Sequence, residues 1–493
     1  MKLRLGAIAA VLTTTALAAP AVVEAPAQAE PAPGSPVALT GPGTVVLTTY
    51  DGTLYGDLGL NLVARDRAFE IRSQRPSYTT PIRTVWQSPS GPVTLPVQER
   101  WDSLDGFINL AVKRASDGKV VRTRHLDICL NAWNTQRTRP DAPLRSPYPQ
   151  GCPGNPFTRG SVQGIQQGWV SNVEANDPTL RLAPGTYTVV ARIARPYADA
   201  LGVTSTDAAR TYKLVVRQET EDGVERPGAH RTRPRTSGDD TVTRARPATK
   251  PRTERAGAPT DAVPDLRSLP AFGMQVSEDS RYLQFSATVW NAGDGPMVVD
   301  GFRRGTTDVM DAYQYFIDSD GNQTGYRKVG TMIWHKAPTH NHWHFKDFAK
   351  YSLLRADKTE VVVSRKESFC LANTDAVDYT VPGADWQPEN TDLHTSCGDR
   401  GSISLREVLS PGSGDTYQQF RAGQSFRIDN LPNGDYYIAV EANPNRNLVE
   451  ASTGNNRALR KIRISGTPGH RKVTSYKVGL VDDHGYGIDD EEH

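Results

Sequence analysis

Residues 335–344 read His-Lys-Ala-Pro-Thr-His-Asn-His-Trp-His, gathering His335, His340, His342 and His344 from a chain with ten histidines. The last three alternate. On a β-strand, alternating residues share one face about 6–7 Å apart, whereas a helix would turn His342 away from the other two. Three neutral imidazoles on one face suit copper, zinc, iron or nickel, and three protein ligands leave a coordination position open for chemistry. The plain alternative is a solvated histidine cluster. Trp343, Phe345 and Phe348 argue against it, because they mark the segment as packed.

Such a motif works only if strands hold it, and the chain reads as β throughout. Alternating runs such as Thr186–Ile193 and Asp435–Ala442 follow Pro-Gly or Asn-Gly turns, and no window carries a long helical period. At 493 residues two domains are expected. From Gln218 to Pro264 there is no Leu, Ile, Met, Phe, Tyr or Trp, so this Arg- and Pro-rich stretch cannot bury enough apolar surface to order itself. The expected organisation is a secretory leader over 1–29, a β domain over 35–217, a disordered linker over 218–263, a second β domain over 264–466 and a mobile tail over 467–493. Both domains are expected to be β-sandwich-like.

The leader rests on Lys2 and Arg4 ahead of an apolar stretch and Ala27-Gln28-Ala29. It implies a secreted protein, in which disulfides are permitted. Four cysteines allow three pairings, and the short separations favour Cys129–Cys152 and Cys370–Cys397. A net charge of +2 gives no reason to expect nucleic acid as a partner, and no later segment is long and apolar enough to span a membrane.

The halves also echo each other. Ile128-Cys-Leu-Asn lies over Phe369-Cys-Leu-Ala, Lys113-Arg over Leu354-Arg, and Leu182-Ala-Pro-Gly-Thr-Tyr over Leu431-Pro-Asn-Gly-Asp-Tyr. Such ordered coincidences point to an internal duplication. In that alignment Gln98, Arg100 and Asp102 stand where the second half has its three alternating histidines, so the first half reads as a degenerate, non-catalytic copy.

The second half adds Arg365-Lys-Glu-Ser-Phe-Cys-Leu, Asp415-Thr-Tyr and Asn443–Asn456 to the histidines. In this order the motifs resemble the catalytic domain of lysyl oxidases. The resemblance implies copper on His340, His342 and His344, and a lysyl tyrosylquinone joined from Lys366 and Tyr417. It implies that a primary amine, from peptidyl lysine or a small molecule, leaves as an aldehyde with ammonia, while molecular oxygen becomes hydrogen peroxide. Asp347 and His335 are the candidates for the general base. It also implies calcium on Asp265, the Leu266 carbonyl, Glu450, Ser452, Asn455 and Asn456, oxygen ligands that suit a hard cation. Two other readings stay open: a non-catalytic extracellular binding protein, and a zinc enzyme using the same histidines.

Overall fold

The computed structural model describes residues 34–483 except 51, 133–134, 173–179, 219–258, 260, 336–341, 365, 367, 388–392 and 422. The expected leader, most of the expected linker and residues 484–493 thus lie outside the described residues. Among the described residues every regular element is a strand except one helix, Arg195–Leu201. The strands follow the sequence alternation. In Gly185–Ile193, Tyr187, Val189, Ala191 and Ile193 are buried, while Thr188, Val190 and Arg192 alternate with them on the other face.

Each half is built from three sheets. In the first half the largest contains, in order, Val120–Ile128, Leu104–Arg114, Gly185–Ile193 and Ala209–Gln218. In the second half Glu360–Val363, Ala349–Arg355, Gly434–Ala442 and Arg457–Thr467 occupy the same order. A smaller sheet runs Ala38–Thr40, Asn61–Ala64, Trp169–Asn172, Gln136–Arg137 in one half. In the other it runs Leu266–Ser268, Tyr282–Asn291, Ser413–Tyr417, Asp375–Ala376. The third runs Gly160–Ile165, Phe69–Gln74, Arg83–Ser88, Gly91–Thr94 against Ser404–Leu409, Met297–Arg303, Val309–Ile317, Gln323–Trp334. Among the described residues only the second half continues this last sheet, with Trp343–Lys346 and Ser368–Phe369.

Each half has its own apolar core. Leu60, Leu62, Phe69, Phe107 and Val189 lie in one, and Phe285, Met332, Trp343, Phe369 and Phe426 in the other. The disulfides are Cys129–Cys152 and Cys370–Cys397.

Two features go beyond the expectations. Besides the linker, the halves are held by direct packing. Phe157 of the first half is buried in a shared cluster with Leu269, Phe272, Trp290 and Val377 of the second. Gly160 pairs with Asp378, and a Cβ on Gly160 would collide with Asp378 and Thr380. The tail is also not mobile as far as residue 483. His470–Ser475 adds a strand beside Arg457–Thr467. Val481 is buried in the shared cluster, Leu480 N–H donates to the Tyr78 carbonyl at 2.7 Å, and Asp483 pairs with the fully buried Arg460 at 2.8 Å. The tail's low apolar content concealed this, because its hold depends on a few specific contacts rather than a hydrophobic run.

Candidate active site

The histidines sit where the second half extends its third sheet. Trp343–Lys346 pairs antiparallel with the end of Gln323–Trp334, with Ile333 opposite His344 and Trp334 opposite Trp343. His335 N–H donates to the His342 carbonyl at 3.1 Å, prolonging that ladder by one step. The ladder thereby brings His335 to the cluster from the neighbouring strand. Ring centroids lie 4.9 Å apart for His335 and His344, and 4.6 Å apart for His342 and His344. His344 is fully buried, with Nδ1 3.2 Å from Ser368 Oγ. Burial, followed by the positive charge of Lys366, lowers the pKa of both His335 and His342 and so favours the neutral imidazoles that a metal requires. His340 lies outside the described residues. Among the described residues no group of three or more His, Cys, Asp and Glu side chains is disposed to hold an ion.

The lysine and tyrosine meet. Lys366 Nζ is 4.2 Å from the centroid of the Tyr417 ring and 5.4 Å from that of Phe369. Phe369 stands edge-on to Tyr417 at 5.0 Å. Ser413–Tyr417 carries the tyrosine along Tyr282–Asn291, with Tyr417 opposite Ala287. The phenol oxygen accepts from Cys370 N–H at 2.8 Å and lies 3.2 Å from the Cys370 carbonyl. The disulfide-bonded cysteine therefore fixes the ring through its backbone. Lys366 is buried, and desolvation pushes its pKa down to about 8, against the opposing pull of Asp415. Burial raises the Tyr417 phenol well above its ordinary value.

Two acids here had no role assigned from sequence. Asp415 shares the face of Tyr417, two residues along the strand, and burial raises its pKa against the influence of Lys366. Glu407, fully buried, accepts from Leu371 N–H at 3.0 Å, and burial raises it too. Strand alternation from Tyr417 could have identified Asp415; Glu407 had no local signal. Of the two base candidates, His335 joins the cluster. Asp347 occupies a left-handed turn, φ +61°, and among the described residues it makes no hydrogen bond or ion pair with Lys366, Tyr417 or the histidines.

The candidate calcium ligands converge around the chain crossing at Asp265. Leu266 N–H donates to Glu450 Oε2 at 2.9 Å, and the Asn455 amide donates to both Asp265 oxygens at 3.0 and 2.9 Å. Asn456 and Asn443 donate to Glu450 Oε1 at 2.8 and 2.6 Å. Arg267 pairs with Asp265 at 2.8 Å. Asn455 Oδ1 and Asn456 Oδ1 are buried and make no hydrogen bond, which suits oxygens intended for a cation. Ser452 departs from the set. It is exposed, and its hydroxyl accepts from Gly454 N–H at 3.2 Å within the turn.

Comparison with known proteins bears on the same half. The lysyl oxidase family profile matches residues 313–474. Over 202 residues the chain is 27% identical to lysyl oxidase homolog 2 of Gallus gallus, covering 41% of this chain and 23% of that protein. Over 207 residues it is 29% identical to lysyl oxidase homolog 2 of Homo sapiens, covering 42% and 23%. A third match, to lysyl oxidase homolog 4 of Mus musculus, is 27% identical over 137 residues, covering 28% and 16%. The chain thus spans less than a quarter of the length of these relatives.

Proposed function

We propose, for a chain whose second half belongs to the lysyl oxidase family, an exported copper-dependent amine oxidase that converts primary amines to aldehydes. The observation that carries this reading is the approach of Lys366 Nζ to the Tyr417 ring at 4.2 Å. A lysine driven toward its neutral form beside a phenol is the pair from which a lysyl tyrosylquinone would be made. His342 and His344, with His340, would hold copper, which supplies the redox chemistry of that quinone with molecular oxygen as oxidant. The ring cluster fits such an ion because burial favours neutral imidazoles.

The chain's own groups would divide the remaining work. The Cys370 backbone holds the phenol oxygen, Phe369 walls one edge of the ring, and buried Lys366 offers an amine with little desolvation left to pay for. Asp415 and His335 are the groups from which a proton acceptor for the substrate would come; Asp347 has no contact that favours it. Asp265, Leu266, Glu450, Asn455 and Asn456 would bind calcium and tie the start of the second half to its end. Export is supported by the basic-apolar leader and the two disulfides, and among the described residues no helix is long and apolar enough to cross a membrane. The substrate would be a primary amine, as peptidyl lysine or a smaller molecule.

Peptide mapping of the copper-loaded full chain tests this reading. The expected result is one covalent species joining the peptides of Lys366 and Tyr417, with peroxide released from a primary amine. Unmodified Lys366 and Tyr417 in copper-loaded protein, or bound zinc with no oxidase activity, would overturn it.

A further inference from the structure

The strand that carries Tyr417 is held on its opposite face by a side chain from the other half of the molecule. Thr416 and Thr288 form a cross-strand pair with hydroxyl oxygens 2.7 Å apart. The Thr416 hydroxyl donates to Asp375 Oδ2. Asn155, 1% exposed and belonging to the first half, donates its amide to Thr288 Oγ1 at 2.9 Å and to Asp375 Oδ2 at 3.2 Å. The four side chains close a ring of donors and acceptors behind the residue that precedes Tyr417.

The orientation of Asn155 is set by its own loop. Its Oδ1 accepts from Phe157 N–H at 3.0 Å, so only the amide nitrogen is left to face the ring. Phe157 is buried in the shared core, Thr158 Oγ1 donates to the Ala376 carbonyl at 3.1 Å, and Arg159 N–H donates to Val377 O at 2.7 Å. The Cys129–Cys152 disulfide anchors the loop three residues before Asn155. On its far edge the tyrosine strand pairs with only Asp375 and Ala376, and Thr416 N–H is held by the Thr374 hydroxyl at 2.7 Å. Side chains therefore do there what a longer strand partner would do.

We propose that Asn155 is a positioning residue for Tyr417, so that the first half acts as a clamp on the cofactor strand and not as an inert copy. Resting on the amine-oxidase reading, the clamp sets the ring within reach of Lys366 for formation of the bond between Nζ and a ring carbon, which breaks one N–H and one ring C–H bond and passes two electrons and two protons to molecular oxygen as hydrogen peroxide. A misplacement of about 1 Å between reacting groups can slow bond formation by about a hundredfold.

The ring has a direction: Asn155 donates to Thr288, Thr288 to Thr416, and Thr416 to Asp375. Exchanging its ends reverses every donor without removing a bond. In the copper-loaded full chain, Asn155→Ala should slow crosslink formation by about tenfold or more, with copper content unchanged. Hydrogen exchange of Ser413–Tyr417 should accelerate in the same variant. Asn155→Asp, which sets a second carboxylate against Asp375, should be worse. The double variant Asn155→Asp/Asp375→Asn should recover most of the rate and the exchange protection. Asn155→Ala with wild-type crosslinking and wild-type exchange would overturn the proposal, as would a double variant no better than Asn155→Asp. If the wild-type chain forms no crosslink, the oxidase reading falls by itself. The exchange measurements and the reversal still decide whether Asn155 holds the strand.

Discussion

The two halves share a framework to the level of single hydrogen bonds, yet only one gathers chemical groups. Tyr187 stands opposite Arg114 and donates its hydroxyl to the Ala183 carbonyl at 2.8 Å; Tyr436 stands opposite Arg355 and donates to Pro432 at 2.8 Å. Ala194 N–H donates to Phe107 O and Asn443 N–H to Phe348 O, each at 2.7 Å. Differences begin where the sheets end. Among the described residues, the strands Trp343–Lys346 and Ser368–Phe369, beside which His342, His344 and Lys366 lie, have no counterpart in the first half. After the matched tyrosine strand the second half runs through the loop with Glu450, Asn455 and Asn456, while the first half has the helix Arg195–Leu201. The candidate groups lie at edges and crossings, where a fold tolerates change without disturbing its core.

The sharpest way to break this contrast is to mutate matched positions. Tyr417→Phe, or His344→Ala, should take peroxide production from a primary amine below detection, since each removes a group that the cofactor reading requires. In the first half Gln98 is tied to Tyr197, Arg100 to Asp102 and Asp127, and His125 to Asn109. His125→Ala and Arg100→Ala should leave peroxide production within twofold of wild type. Loss of activity on replacing exposed His125 would mean that the first half has its own chemical role.

Sequence reasoning recovered the contrast because duplication is written in matched turns and cysteines, and because alternation of histidines and aromatics survives without an alignment. The resemblance to lysyl oxidases paired Lys366 with Tyr417, which are 51 positions apart and approach within 4.2 Å. Sequence reasoning fell short where long-range packing decides. Alignment on the cysteines puts the match for Tyr417 near Trp169, but strand register sets Trp169 against Ser413, so the counterpart of Tyr417 falls four residues later, outside the described residues. The docking of Asn155 and Phe157 left no trace in composition, since a short Asn-Pro-Phe-Thr loop looks like any turn. Glu407 likewise reads as an ordinary strand acid until the fold buries it.

A second test uses pH. Burial holds Lys366 near 8, below the roughly 10.4 of a lysine in an unfolded chain. Crosslinking needs the neutral amine, so its initial rate should rise about tenfold per unit up to about pH 8 and then level off. The linkage has the matching sign. Between about 8 and about 10.4 the unfolded chain binds the extra proton, so this lysine's contribution to stability improves as pH rises through that window. Below it the burial penalty is fully present. A crosslinking rate independent of pH between 6 and 9 would remove the buried lysine as the limiting group.

Calcium should separate the halves by stability. An ion on Asp265, Glu450 and the two asparagines binds only the folded second half, and at a hundred times its dissociation constant it would stabilise that half by about 2.7 kcal/mol. The first half has a helix in place of the ligand loop and should not respond. Millimolar calcium should therefore raise the melting transition of the full chain, and Glu450→Gln should shrink the rise. If Glu450→Gln melts with the same calcium increment as wild type, the ion binds elsewhere.

The smallest expected effect is the strictest measure of how alike the frameworks are. Tyr187 and Tyr436 are 7% and 5% exposed, and each hydroxyl closes a corner onto a carbonyl four residues upstream. Replacing either by phenylalanine keeps the ring and its packing but leaves one carbonyl without that donor, which costs about 1 kcal/mol. Because both corners contain a Gly, Gly185 or Gly434, and each tyrosine faces a cross-strand arginine, Arg114 or Arg355, the two losses should agree within about 0.5 kcal/mol. The double variant should equal their sum, because the corners belong to separate cores that meet only through contacts away from either corner, among them the clusters around Phe157 and Tyr148. Denaturant unfolding of the full chain, followed by tryptophan fluorescence, gives all three values. Unequal single losses would show that the matched bonds bear different loads in the two halves. A double loss well above the sum would show that the contact through Phe157 couples the two cores.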